Sequence, residues 1–166
     1  MWNDHKKARI VLARIDNRLV HGQVGVTWTS VAGANVIVVV DDEVVHNQLQ
    51  QILMEAVAKA SNTDLRFLSV KDFIYALPYT DVDRKIFLVV KTPQVISDLV
   101  DAGIELNKVN IGNMHYEKGK VPIGKKVYVN EDDVRCFKNM LKHGVELFIQ
   151  DVPGGIKTII KEEDLD

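Results

Sequence analysis

The sequence has one cysteine, Cys136, among 166 residues. A lone thiol cannot close an internal disulfide, so a reducing cytoplasm is its simplest home. There is no excess of basic charge: the formal net charge is -2, which argues against a nucleic-acid binder. No apolar run approaches the length that spans a bilayer, and the longest, residues 35–40, ends at the acidic pair Asp41 and Asp42. The start, Met1 to Lys7, lacks the apolar stretch of a signal peptide. Repeats, linkers and low-complexity segments are missing too. Neither a G-x-G-x-x-G fingerprint nor a P-loop follows the first apolar run, which weakens a nucleotide-binding reading. What remains reads as a single domain over 1–166, with the 46% apolar and 27% charged content of an ordinary globular protein.

Short β-branched runs alternate with longer amphipathic segments. Strands are expected at 9–15, 36–40, 65–70, 85–90, 108–111, 127–129 and 146–150. Helices are expected at 22–34, 46–60, 71–77, 93–102 and 131–143. Leu49, Ile52, Leu53, Ala56 and Val57 give the second helix its apolar stripe. Pro93 and Gly103 bracket the fourth helix, while Asn130 caps the fifth and Gly144 stops it. Such alternation implies an α/β fold: a mainly parallel open sheet of six to seven strands with helices on both faces. Residues 121–122 read as an irregular excursion. The ends, 1–7 and 156–166, read as flexible, with an edge strand near Ile156 to Ile160.

The segment from Asp16 to Gly22 joins the first strand to the first helix, where open α/β sheets bind ligands. His21 stands at the helix start, with Arg14, Asp16 and Arg18 upstream and Gly22 after it, all within nine residues. Phosphoryl transfer to an imidazole needs a neutral ring, and nearby guanidinium groups disfavour the protonated one. Charge on the transferred group spreads over three oxygens, which arginines and helix N-terminal N–H groups can neutralise. Gly22 lets the backbone approach closely, and Asp16 can orient the ring by accepting a proton from one nitrogen. The residues alone leave two readings open: an anion site, or a solvated, salt-bridged loop.

The run from Ala13 to Val24 (A-R-I-D-N-R-L-V-H-G-Q-V) resembles the active-site signature of the B component (IIB) of mannose/fructose/sorbose phosphotransferase systems. Val39-Val40-Asp41-Asp42, Val90-Lys91-Thr92-Pro93, the run Val109 to His115 and the closing run Gly144 to Pro153 also match, so the resemblance covers about 8–155. It implies a cytoplasmic phosphoryl carrier, peripheral to a membrane transporter. His21 would accept, through Nδ1, the phosphoryl group of a phosphohistidine on the A component (IIA), and pass it to a sugar held by the membrane components (IIC and IID). Arg14 and Arg18 would be the charge clamp, and Asp16 and Asn17 would shape the loop; Asn17, Gly22 and Gln23 complete the expected phosphate-binding set. Neither metal nor cofactor is implied. The sugar is left open with a lean to the N-acetylgalactosamine or hexosamine branch, and a homodimer is left open too. The competing readings are a nucleotide-binding domain and a receiver-like module with Asp41 or Asp42 as acceptor.

Other polar residues have plainer readings. Asp41 and Asp42 suit helix capping or loop structure. His46 reads as solvated or capping, and His143 as complementing a helix C-terminus. Asn113 and His115 follow the fifth strand and are candidates to touch a partner or the phosphoryl group. Lys118, Lys120, Lys125 and Lys126 form a basic run that could meet an acidic partner surface. Cys136 reads as a buried, inert thiol, and Trp28 as either core or contact surface.

Overall fold

The structure, a computed structural model, describes residues 8–166; the expectations for residues 1–7 lie outside the described residues. Among the described residues nine strands and five α-helices follow in order: β1 (Arg9–Asp16), α1 (Gly22–Ala32), β2 (Val36–Val40), α2 (Gln48–Ala60), β3 (Asp64–Leu68), α3 (Val70–Ala76), β4 (Lys85–Val90), α4 (Pro93–Asp101), β5 (Lys108–Asn113), β6 (Val121–Gly124), β7 (Val127–Val129), α5 (Glu131–Lys142), β8 (Glu146–Ile149) and β9 (Thr158–Ile160). Seven strands form one sheet in the order β3-β2-β4-β1-β5-β8-β9, parallel except for the β8–β9 pair. From β1 the chain moves to one side of the sheet, and from β4 it crosses β1 to reach β5. The order therefore reverses around the carboxyl end of β1, where a ligand crevice opens in such sheets.

Strand periodicity of two divides the core between the faces. Ala13, Ile15, Val38, Leu88 and Val90 pack with Phe73, Ile96, Leu99, Phe137 and Met140 from α3, α4 and α5. Leu12, Ile37, Val39, Phe87 and Val89 pack with Trp28 and Met54 from α1 and α2. Arg14 and Asp16 continue the alternation of Leu12, so both project to the α1 side.

Three local readings change. The excursion at 121–122 is β6, which forms an antiparallel hairpin with β7; Pro122 and Gly124 hide its strand character in the sequence. Most of the apolar stripe of α2 faces outward: Leu49, Ile52 and Leu53 are exposed, Val57 packs against the core, and Met54 and Ala58 are buried. In the C-terminal tail the expected edge strand forms as β9, and the residues after it are docked rather than frayed. β9 pairs with β8, Leu165 is buried, and Lys138 meets the side chain of Asp166 at 2.8 Å. Among the described residues no helix is long and apolar enough to cross a membrane.

Candidate functional site

The loop after β1 is built around the side chain of Asp16, which is fully buried. Its Oδ1 accepts from the backbone N–H of Arg18 at 2.9 Å, and its carbonyl accepts from Leu19 N at 2.9 Å. This Asx-type turn is the local bonding an Asp favours. Leu19 has a φ of 58°, a left-handed conformation unusual for a branched residue. Leu19 and Val20 are buried in the α1-side core, so their burial offsets the strain and turns Arg18 and His21 outward.

Asn17 staples this loop to the neighbouring strands. Its backbone N–H donates to Asn113 O at 3.0 Å and its side-chain nitrogen to Lys91 O at 3.3 Å. Its Oδ1 accepts from the backbone N–H of His115. Both ends of the amide are bonded within the protein, so Asn17 holds the ends of β1, β4 and β5 together.

His21 is the residue preceding α1, with φ -146° and no side-chain capping bond. Its Nε2 lies 3.1 Å from Asp16 Oδ2. A carboxylate only accepts, so in the neutral ring Nε2 carries the proton and Nδ1 is left bare. Gly22 follows with a φ of 49°, a backbone position that suits glycine. Gly22 and Gln23 are exposed at the start of α1, where first-turn N–H groups lack intrahelical partners.

The two arginines occupy different environments. Arg18 is exposed, with Nε 4.0 Å from Asp16 Oδ1. With the Asn113 amide turned to satisfy its neighbours, Asn113 oxygen accepts from Arg18 Nε at 3.1 Å and its nitrogen donates to Lys126 O at 3.3 Å. Arg14 departs from the expected solvent-open clamp. It lies inside β1 and is only 2% exposed. Its Nη2 donates to Asp16 Oδ2 at 3.1 Å, and its Nη1 donates to Gln150 O at 3.2 Å and to Asn110 Oδ1. The guanidinium also lies 5.6 Å from the ring centroid of Trp28. Burial pulls its pKa below the ordinary arginine value, and Asp16 opposes that pull. Two buried ions with this many hydrogen bonds form a rigid base beneath His21.

Trp28 is therefore core, and it donates from Nε1 to Asp151 O at 3.1 Å. Asn110, Gly112 and Trp28 complete the base, and sequence reasoning had assigned none of them to it. The available signal was an asparagine and a glycine at alternate positions of β5, on the face opposite to Val109 and Ile111.

Other candidates resolve into structural roles. Asp41 Oδ1 accepts from Glu43 N and Val44 N, both at 2.9 Å, and Asp42 Oδ1 accepts from Val70 N at 2.9 Å. His46 is exposed, and Asn47 caps α2 instead. His143 Nδ1 contacts Asn139 O at the end of α5. Lys120 pairs with Asp133 at 3.2 Å and Lys126 with Asp151 at 2.6 Å, so two lysines of the basic run are internally neutralised. Cys136 is partly buried, and burial pushes its thiol up. Beside His21, a groove of roughly 430 Å³ is lined by Gly22, Gln23 and Val26 of α1 and by Ala56, Val57 and Ala60 of α2.

The family of PTS system sorbose subfamily IIB components matches residues 10–163. Over 153 residues the chain is 48% identical to the N-acetylgalactosamine-specific phosphotransferase enzyme IIB component 1 of Escherichia coli (strain K12), covering 92% of this chain and 97% of that protein. Its fold is similar to the crystal structure of the N-acetylgalactosamine-specific IIB component 1 from Escherichia coli, with a TM-score of 0.89 at 48% identity over 92% of this chain and 100% of that one. The IIBSor domain of the sorbose permease from Klebsiella pneumoniae is similar with a TM-score of 0.86 at 28% identity, over 95% and 96% of the two chains.

Proposed function

Because this chain belongs to the sorbose-subfamily IIB components of the sugar phosphotransferase system, we propose that it carries the phosphoryl group on Nδ1 of His21, in the cytoplasm beside its membrane partners. IIB components are sugar phosphotransferases that work with IIA and with IIC/IID. The observation that carries the residue assignment is the Asp16–His21 contact at 3.1 Å. It leaves Nδ1 as the bare nucleophilic nitrogen at a helix start.

In the first step the Nδ1 lone pair attacks the phosphorus of a phosphohistidine on IIA. The new P–N bond forms as the old one breaks, and its electron pair returns to the donor imidazole. In the second step a sugar hydroxyl held by IIC/IID attacks that phosphorus. A P–O bond forms, the P–N bond to His21 breaks, and the hydroxyl proton is released. Arg18 neutralises the equatorial oxygens from the solvent side, and the first-turn N–H groups at Gly22 and Gln23 do so from the helix. Arg14 acts one layer down, holding Asp16. No metal or other cofactor enters either step.

Both partners must reach His21. The α1–α2 groove is lined by Gly22 and Gln23, and its α2 residues Ala56 and Ala60 follow the exposed Leu49, Ile52 and Leu53 at helical spacing. That apolar face suits a transient protein contact, whereas two lysines of the basic run are already paired. For the sugar, likeness to N-acetylgalactosamine-specific relatives supports an amino sugar. The test is phosphoenolpyruvate-driven sugar phosphorylation with the general phosphotransferase proteins, a cognate IIA and membranes holding IIC/IID. The expected product is the N-acetylgalactosamine phosphate, formed faster than those of mannose, fructose or sorbose, and lost with His21→Ala. Undiminished product from that variant would contradict the carrier role.

A further inference from the structure

We propose that Asn110 and Gly112 of β5 are positioning residues for the accepting imidazole, acting through Arg14 and Asp16 to decide which nitrogen of His21 is bare. This rests on the reading of His21 as the phosphoryl acceptor. Arg14 of β1 pairs with Asn110 in the parallel register of β1 and β5, and both residues are buried. Asn110 uses its amide twice: the oxygen accepts from Arg14 Nη1, and the nitrogen donates to Gln150 O at 3.0 Å. Gln150 O in turn accepts from Arg14, so Asn110 closes a small ring around one end of the guanidinium.

Gly112 supplies the space. A Cβ at this position would lie 2.1 Å from Arg14 Cζ and 2.3 Å from Nη2. Those atoms are a buried group with Trp28 beside it, so they cannot swing away as a surface side chain would. Any side chain at 112 drives the guanidinium off Asp16. An asparagine and a glycine inside a buried strand are both poor choices for a strand interior, and the placement of Arg14 explains both.

The consequence reaches His21 because Arg14 and His21 share one oxygen. Asp16 Oδ2 lies 3.1 Å from Arg14 Nη2 and 3.1 Å from His21 Nε2. With Arg14 in place this oxygen stays an acceptor at a fixed point, and the ring presents Nε2–H to it. With Arg14 displaced, Asp16 is a buried carboxylate lacking its counter-ion. It then rotates towards Arg18 or takes up a proton, and either change frees the imidazole to hold its proton on Nδ1. The charged groups around this point are Arg14 and Asp16 on β1, Arg18 in the loop, and Asp151 with Lys126 beyond Arg14; α1 carries none.

The experiment uses the whole chain labelled with nitrogen-15 histidine, as wild type, Asn110→Ser and Gly112→Ala. Nitrogen chemical shifts of His21 at alkaline pH report its tautomer, and potassium phosphoramidate serves as a small phosphoryl donor that needs no docking partner. The wild type is expected to hold the Nε2–H tautomer and to form only the Nδ1 phosphohistidine. Both variants should show a mixture of tautomers and a share of the Nε2 isomer. Their labelling at Nδ1 should fall about 10-fold, the scale on which outer partners of a positioned imidazole act. Wild-type tautomer and rate in the variants, with or without lost thermal stability, would overturn the positioning role. If one variant does not fold, the other decides. Failure of the wild type to take phosphoryl at His21 would instead overturn the carrier reading.

Discussion

His21 Nε2 and Asp16 Oδ2 stand 3.1 Å apart, and the carboxylate between them and the core is fully buried while the ring is partly open. The pair joins a rigid interior to a reactive surface. Asp16 is anchored below by Arg14 and above by Arg18 N, so the ring has one supported orientation.

Arg14 therefore ties the stability of the interior to the placement of the His21 ring. Replacing it by leucine leaves Asp16 buried without its ion partner and Asn110 Oδ1 without its donor. Breaking a buried pair in this way typically removes about 3 kcal/mol. Urea unfolding of Arg14→Leu should show that loss, together with slowed phosphoryl acceptance.

Arg18 should behave in the opposite way. Its side chain is 48% exposed and 4.0 Å from Asp16. Arg18→Ala should change unfolding free energy by no more than about 0.5 kcal/mol and still slow transfer from IIA at least several-fold. Transfer at the wild-type rate would remove Arg18 from the clamp.

The Lys126–Asp151 pair gives a pH signature. The hydrogen bond from Lys126, aided by the charges of Lys126, Arg14 and Arg18, holds Asp151 below the usual carboxylate range. A carboxylate lowered in the folded state contributes stability above its unfolded value, about pH 4, and loses it as pH falls through the folded value. Both side chains are more than a third exposed, so solvent screening keeps the pair near 0.5 kcal/mol, roughly the scale of exposed pairs. Lys126→Met should lower stability by that amount at pH 7 and by nothing near pH 2, as read by thermal unfolding across pH.

The outward stripe of α2 is testable without touching the site. Leu53 is 61% exposed, so Leu53→Glu should fold normally and take phosphoryl from phosphoramidate at the wild-type rate. Acceptance from IIA should be slower. Equal rates from both donors would move the docking face elsewhere.

Much of this was legible in the sequence, for identifiable reasons. Strands β2 and β4 are nearly continuous apolar runs, and α5 announces itself through Asn130, which caps it. The candidate site loop was legible because its polar residues fall within nine positions of one another. Burial of Arg14 was not, since it depends on β5 lying beside β1, a pairing made across nearly a hundred residues. Once that pairing exists, Arg14 and Asn110 meet by register. The stripe of α2 misled because the helix has two apolar sides, and composition does not say which one faces the sheet. In sequence the end of the tail looks frayed because its acidic residues suit solvent, yet Leu165 is buried beside α5.

Mapping the phosphoryl group to its residue decides whether His21 is the carrier. The chain is phosphorylated from phosphoenolpyruvate through the general proteins and a cognate IIA, digested under alkaline conditions and sequenced by mass spectrometry. One phosphoryl group on His21 is expected, lost in acid, stable in base, and absent from His21→Ala. A base-labile label on Asp41 or Asp42, or undiminished labelling of His21→Ala, would contradict the account.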